Sequence, residues 1–104
     1  MFLYCVSIQI DSGIHDDWLS WMQQVHIPEV LRTGCFTGCV LARVREPKSD
    51  SQRIAYAIRY SCNSFEAYQH YRQEHAPALQ RQHTSRYPGK FKATREVLET
   101  VWES

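Results

Sequence analysis

The sequence predicts an α+β domain in which a four-stranded antiparallel sheet is covered on one face by two helices. Three observations predict it: segments with an apolar period of two, segments with apolar residues three to four apart, and an internal repeat. Together they give the order βαββαβ over residues 1–104, which is the length of a single domain.

The first strand and helix are predicted by a change of period. Residues 2–10 alternate large apolar side chains with smaller or more polar ones, which is typical of a strand. Residues 11–13 have the composition of a turn, and apolar residues then recur at helical spacing. These are Ile14, Trp18, Trp21, Met22 and Val25. Because Pro28 interrupts this helix, we expect a break near Ile27 and an end at Gly34.

A β-hairpin is predicted next. Residues 35–44 and 53–62 are apolar and alternating, and the polar stretch 46–51 between them has the composition of a loop. In the second of these strands, one face is expected to carry Ile54, Tyr56, Ile58 and Tyr60.

The chain is expected to close with a second helix and a fourth strand. Asn63 followed by Glu66 fits an N-cap with an acidic residue three positions later. This helix also meets a proline, Pro77, where it is expected to break and restart before running to residue 86. Residues 91–101 mix apolar and charged side chains, which indicates a partly exposed strand.

An internal repeat supports this order. The motif His-x-Pro-x-aliphatic occurs at His26 and again at His75, and 49 positions separate both the histidines and the prolines. The same shift moves the first strand onto the third, as the pseudo-twofold arrangement of a ferredoxin-like split βαβ fold requires. We therefore predict a ferredoxin-like domain whose two helices are each broken at a His-x-Pro.

The second face of the sheet predicts a homodimer. Both helices of this topology cover one face, and the other is poor in charge at its centre. The residues expected there are Leu3, Cys5, Thr37, Cys39, Leu41, Ala55 and Ala57. Such a patch usually marks an interface, most often that of a twofold dimer. We expect two sheets to pack face to face as a dimeric α/β barrel, the alternative being an open monomeric sheet.

Composition and missing motifs argue against several classes of function. The net charge of +1 attracts neither nucleic acid nor anionic lipid, and the third strand lacks the aromatic platform of RNA-recognition domains. No apolar run approaches the about 20 residues of a membrane span. The N-terminal run is expected to be a strand rather than a signal peptide, so the expected location is cytoplasmic.

No cofactor is predicted either. The sequence has no glycine-rich phosphate loop and no Gly-x-Ser-x-Gly elbow, which argues against nucleotide-dependent and serine-hydrolase chemistry. The four cysteines are expected to be structural thiols.

His26 is the best candidate for a functional side chain. It lies at the helix interruption with Glu29 three residues on, and it could act as a general base or bind a metal or haem. It could equally cap the interrupted helix through a ring nitrogen. The candidate catalytic residues are therefore His26 and Glu29, and the candidate ligand-binding residues are Trp21, Met22, Tyr56 and His75.

A metal site is not predicted. His26, His75 and His83 could gather with Glu29 only through the fold, since no pair has tight ligand spacing on one helix turn. His15 and His70 are expected to face solvent. The remaining helix aromatics are expected in the core.

The first helix resembles the signature of an uncharacterised family known only as a domain of unknown function, in the run WLSWMQQVHIPEVLRTGCF at residues 18–36. The likeness continues through residues 56–60 and 75–79. It implies the dimeric α/β-barrel superfamily, whose members include small monooxygenases, isomerases, haem proteins and ligand-sensing domains. It implies no single activity, because one fold hosts many chemistries.

Two functions remain open. The first is a dimeric module that binds a small ligand or partner in the cleft between helices and sheet. The second is a small cofactor-independent monooxygenase or isomerase that uses His26 with Glu29, and a haem- or metal-binding role ranks third. The sequence favours the first, because it contains no nucleophile or metal motif that requires catalysis.

Overall fold

The described residues form one antiparallel sheet of the predicted ferredoxin-like type. Its strands are β1 (Phe2–Asp11), β2 (Gly38–Arg43), β3 (Arg53–Cys62) and β4 (Phe91–Glu99). They are arranged in the order β2-β3-β1-β4, so that the two long strands β1 and β3 occupy the centre. The computed structural model describes residues 1–48 and 50–104; position 49, in the predicted loop, lies outside the described residues.

The helices cover one face of this sheet in two interrupted pairs. The first pair consists of α1 (His15–Trp21) and α2 (Ile27–Arg32), joined by the π-helical turn Met22–His26 and preceded by the 3₁₀ turn Ser12–Ile14. The second pair consists of α3 (Phe65–Glu74) and α4 (Ala76–Arg86). Within the described part of the chain, no helix is long and apolar enough to cross a bilayer.

The first helix is interrupted by a π turn and not by the predicted break at Ile27. His26 and Ile27 both keep helical dihedral angles, and the Ile27 N–H donates to the Met22 carbonyl five residues back. The wider turn takes up an extra residue just before Pro28, which has no N–H to donate. The second helix does break as predicted, because His75 at φ −120° leaves the helical region between α3 and α4.

The ends of some elements differ from prediction. The cap of α3 is Ser64, one residue after Asn63; its hydroxyl oxygen accepts from the Ala67 N–H at 3.1 Å. The first helix ends as expected, with Gly34 in the left-handed region at φ +78°. The fourth strand ends two residues earlier than predicted.

The core lies between the sheet and the helices. The largest fully buried side chains are Trp18, Ile10, Met22, Val30 and Cys62. At one end of the sheet, the Tyr4 ring lies within 6 Å of four other aromatic rings, those of Phe36, Tyr60, Tyr68 and Tyr71. The sheet and helices thus enclose an aromatic layer rather than a purely aliphatic one.

The opposite face of the sheet differs from the prediction in β2. The register pairs Cys39 with Tyr60 and Leu41 with Ile58, so both side chains lie on the helix side and not on the open face as predicted. The reason is that β2 begins only at Gly38: Phe36 is buried before the strand starts, and the alternation restarts out of phase. Val40 therefore lies on the open face, with 61% of its surface exposed.

Candidate functional site

A small polar-edged cavity lies between the helices and the centre of the sheet. Its volume is about 40 Å³, which is room for roughly one water molecule. Its polar side chains come from both helix pairs and from three strands of the sheet, β1, β3 and β4. They are His26, Gln80, His83 and Arg95, together with Tyr4, Tyr60 and Tyr71.

A cleft of about 290 Å³ adjoins this cavity. The two spaces share four lining side chains, those of Tyr4, Tyr71, Gln80 and Arg95. The outer walls of the cleft are formed by Tyr68, Arg72, Ala76 and Pro77. Together the two spaces reach the lower end of the about 300–1,000 Å³ that ligand pockets occupy.

His26 lies at the inner end of this space, as the last residue of the π turn. Its ring stacks on Trp21 with centroids 5.0 Å apart and meets the edge of the His83 ring at 5.8 Å. Burial, with a smaller effect of the Arg95 charge, lowers the pKa of His26 to about 4, so that the imidazole is neutral near pH 7. Its Nδ1 atom is buried and has no hydrogen-bond partner among the described residues.

His83 is the second buried imidazole on the cavity. Its Nε2 accepts a hydrogen bond from the Trp18 indole N–H at 2.9 Å, which places the proton of the neutral ring on Nδ1. Burial first, then the neighbouring His26 and Arg95, lowers the pKa of His83 to about 4. The cavity is therefore lined by two neutral histidines.

Arg95 is the charged residue that lines both the cavity and the cleft. It pairs in register with Val6, so it lies on the helix side of the edge strand β4. Burial raises the pKa of Tyr4, and the adjacent Arg95 partly opposes that rise. A guanidinium that is partly open to solvent beside neutral tyrosines and histidines favours an anionic ligand group.

The structure separates the residues that the sequence grouped. Of the six predicted site residues, His26 and Met22 line the cavity, and Trp21 supports the His26 ring from behind. Glu29 lines a groove on the outer surface of the helices together with Trp21. It does not line the cavity.

Two further predicted ligand residues also lie elsewhere. The Tyr56 hydroxyl and His15 Nε2 are hydrogen-bonded at 2.6 Å, so His15 does not simply face solvent as predicted. His75 lies at the helix break, and its ring contacts that of His70, which is exposed as predicted. Neither Tyr56 nor His75 lines the cavity or the adjoining cleft.

Sequence reasoning did not select His83 and Arg95, although each has a signal. His83 continues the buried stripe of α4 after Ala76 and Leu79, at helical spacing. Arg95 has the same parity in β4 as Phe91 and Ala93, which pack against the core. A polar residue at an apolar position of a regular pattern is the feature that marks both.

Solved structures with the same fold match the chain at low sequence identity. The heme-degrader MhuD from Mycobacterium tuberculosis, solved with two hemes bound in its active site, has a TM-score of 0.67 at 18% identity, covering 100% of this chain and 99% of that one. SnoaB, a cofactor-independent oxygenase from Streptomyces nogalater, has a TM-score of 0.69 at 13% identity, covering 98% and 95%. A dimeric ferredoxin-like protein from an uncultured marine organism has a TM-score of 0.67 at 18% identity, covering 100% and 98%. These likenesses show the fold.

The sequence itself matches one family model. The model is described as Domain of unknown function (DUF4286), and the match covers residues 1–101. None of the curated proteins matches the chain.

Proposed function

The chain belongs to the DUF4286 family of domains of unknown function, and we propose that it is a small homodimeric module that binds a compact aromatic acid in the cleft between helices and sheet. The observation that carries this proposal is the buried Nδ1 of His26, a lining residue of the cavity beside the cleft, which has no hydrogen-bond partner among the described residues. Buried polar atoms are rarely left unpaired, so this nitrogen is suited to a group that enters from outside the chain.

The lining of the cleft supports this class of ligand. The rings of Tyr68 and Tyr71 offer an aromatic surface along the cleft. Arg95 can hold a carboxylate, and His26 can hydrogen-bond a hydroxyl group at the inner end. The available volume, about 290 Å³ beside about 40 Å³, suits a single-ring molecule and is too small for a haem.

The open face of the sheet supports the homodimer. Val40 and Leu98 on this face are 61% and 40% exposed. Arg59 and Glu96 flank Cys5 on one row of the face, and their opposite charges suit a self-complementary twofold contact. Structures of the same fold include two that are described as dimeric ferredoxin-like proteins.

Catalysis is the second candidate function. A neutral His26 with a free ring nitrogen can accept a proton from a bound phenol, as the predicted monooxygenase or isomerase would require. General bases work best, however, when their pKa lies near the working pH, and a pKa of about 4 makes His26 a weak base. Glu29 lies in the outer groove and does not reinforce it. Binding is therefore the preferred role.

Titration calorimetry with three probes tests the proposal: 4-hydroxybenzoate, benzoate and phenol. We expect 4-hydroxybenzoate to bind most tightly, because it uses both ends of the cleft. Arg95→Gln should weaken its binding by about tenfold or more, since hydrogen bonds to charged groups contribute about 1.5–3 kcal/mol. Phenol binding should change little.

The matched control is Arg32→Gln, which removes an equivalent charge from the exposed end of α2, away from the cleft and from the open face of the sheet. It should leave the affinity for 4-hydroxybenzoate unchanged. The proposal would be wrong if none of the probes bound, or if both arginine variants had the same effect.

A further inference from the structure

A cysteine and two histidines meet beside the break between α3 and α4. Cys35 follows the end of the first helix, His70 lies on α3, and His75 is the residue at the break. One ligand atom from each residue can be chosen so that all three atoms lie within 4.8 Å of one another. None of these residues lines the cavity or the cleft described above, so the cluster is a separate feature.

The helix break brings the two imidazoles together. Residues five positions apart on a regular helix do not share a face, since the helix has 3.6 residues per turn. At φ −120° the backbone of His75 leaves the helix, and its ring lies 5.5 Å from that of His70 at an angle of 73°. The break thus creates a pair of imidazoles that α3 alone would not form.

The thiol is held in place by the turn after the first helix. The Cys35 N–H donates to the Thr33 hydroxyl oxygen at 3.3 Å, and Cys35 is buried. Among the described residues, its S–H group donates one weak hydrogen bond, at 3.9 Å, to the Thr33 carbonyl oxygen. The sulfur is therefore fixed in position without a strong competing hydrogen bond.

The imidazoles are free to bind a ligand. Among the described residues, neither the His70 ring nor the His75 ring has a hydrogen-bond partner; the two rings contact each other, and that of His75 also contacts Tyr71. His70 is exposed and His75 is half-buried, whereas Cys35 is buried. An ion can thus approach from solvent along the histidines and reach the sulfur.

We propose that Cys35, His70 and His75 form a binding site for a divalent transition-metal ion, above all Zn²⁺. A thiolate with two imidazoles is a donor set that zinc prefers and that magnesium and calcium do not. With zinc–sulfur and zinc–nitrogen bonds of about 2.3 and 2.0 Å, tetrahedral ligand atoms lie about 3.3–3.6 Å apart. Rotation of the His70 and His75 side chains, one exposed and one half-buried, can close the difference from 4.8 Å.

The fourth ligand is then a water molecule. Three protein ligands with one open position are the arrangement of zinc sites that remain accessible to solvent. As the metal binds, the S–H bond of Cys35 breaks, the proton passes to water and the sulfur–metal bond forms. The affinity for the metal should therefore increase with pH.

Zinc binding by the reduced, tag-free full chain tests the site. Competition with a chromophoric chelator should show one Zn²⁺ bound per chain. His70→Gln, His75→Gln and Cys35→Ser should each weaken binding by more than the about 10–100-fold that loss of an outer-shell contact costs. With Co²⁺ as probe, the wild type should show a thiolate-to-metal absorption band that is absent in Cys35→Ser.

Two variants outside the cluster serve as matched controls, His15→Gln and Cys39→Ser, and neither should change the affinity. His70→Gln alters an exposed side chain and keeps the test decisive even if Cys35→Ser does not fold. The proposal would be overturned if the wild-type protein bound no zinc when one equivalent of Zn²⁺ per chain was added. It would also be overturned by histidine variants that bind zinc as the wild type does.

Discussion

Folding buries the imidazole rings of His26 and His83, and their burial makes the stability of the protein depend on pH. Both have a pKa of about 4 in the folded chain, against an ordinary value of 6.5. Between these values the unfolded chain binds protons that the folded chain does not. The contribution of these two histidines to the free energy of unfolding is therefore fully present above about pH 6.5, and it is lost as the pH falls toward 4.

We predict that the free energy of unfolding decreases as the pH falls from about 6.5 to 5, with a slope that approaches about 1.4 kcal/mol per pH unit for each histidine that stays neutral in the folded chain. Urea denaturation at a series of pH values measures this slope. The double variant His26→Gln with His83→Gln should show a clearly smaller slope over the same interval. Equal slopes for the variant and the wild type would show that these imidazoles titrate alike in the folded and unfolded chains.

Of the residues that the sequence grouped, His26 and Met22 line the cavity, whereas Glu29, Tyr56 and His75 lie outside it. The position of His26 next to Pro28 marked it as a candidate, and the cavity contains it. Glu29 follows His26 by three residues, and on a helix of 3.6 residues per turn this separation turns the two side chains about 60° away from each other. This rotation takes its carboxylate out of the cavity and into the outer groove.

The two interrupted helices show why the sequence predicts the position of an interruption more easily than its geometry. Pro28 and Pro77 occupy equivalent places in the repeat, yet the first helix continues through a π turn and the second breaks at His75. The proline removes a hydrogen-bond donor in both cases. Packing decides whether the helix widens or breaks, and packing is not visible in the local pattern.

Mutation can show which of two adjacent residues is the N-cap of α3. Ser64→Ala should destabilise the protein by about 0.5–2 kcal/mol, because the Ala67 N–H loses its acceptor. Asn63→Ala is the matched control and should have little effect, since its side chain is exposed and does not cap the helix. Thermal or urea unfolding of both variants measures the difference. A larger loss in the asparagine variant would place the cap where the sequence predicted it.

The strand β2 illustrates how one irregularity changes a whole face. Its alternation is clear in the sequence, but the phase depends on where the strand starts. Because pairing begins at Gly38, Cys39 and Leu41 point toward the helices and Val40 toward the open face. The composition of the proposed dimer interface therefore follows from a boundary that residue pattern alone locates poorly.

For the whole molecule, the open face of the sheet is the proposed contact between two chains. Val40→Lys places a charge on this face and should shift a dimer toward monomer, because an unpaired charge is costly to bury. Val25→Lys makes the same change on the helix side and should leave the dimer intact. Sedimentation velocity at micromolar concentration measures both variants. A wild type that sediments as a monomer would rule out this interface.

The overall fold was predictable because several independent patterns agree on it. The strand alternation, the helix spacing and the 49-residue offset all require the same order of elements, and the sheet order β2-β3-β1-β4 follows from that topology. The function was not predictable in the same way. A cavity between sheet and helices depends on side chains from six elements, and the fold itself hosts many chemistries.

The central claim is that this protein binds its ligand in the cleft and in the adjoining cavity that His26 and His83 line. The most direct measurement follows the histidine ring signals by nuclear magnetic resonance while 4-hydroxybenzoate is added. We predict that the signals of His26 and His83 shift together as the ligand saturates, while those of His15 and His70 stay in place. Saturable binding that leaves the His26 and His83 signals unmoved would contradict the claim.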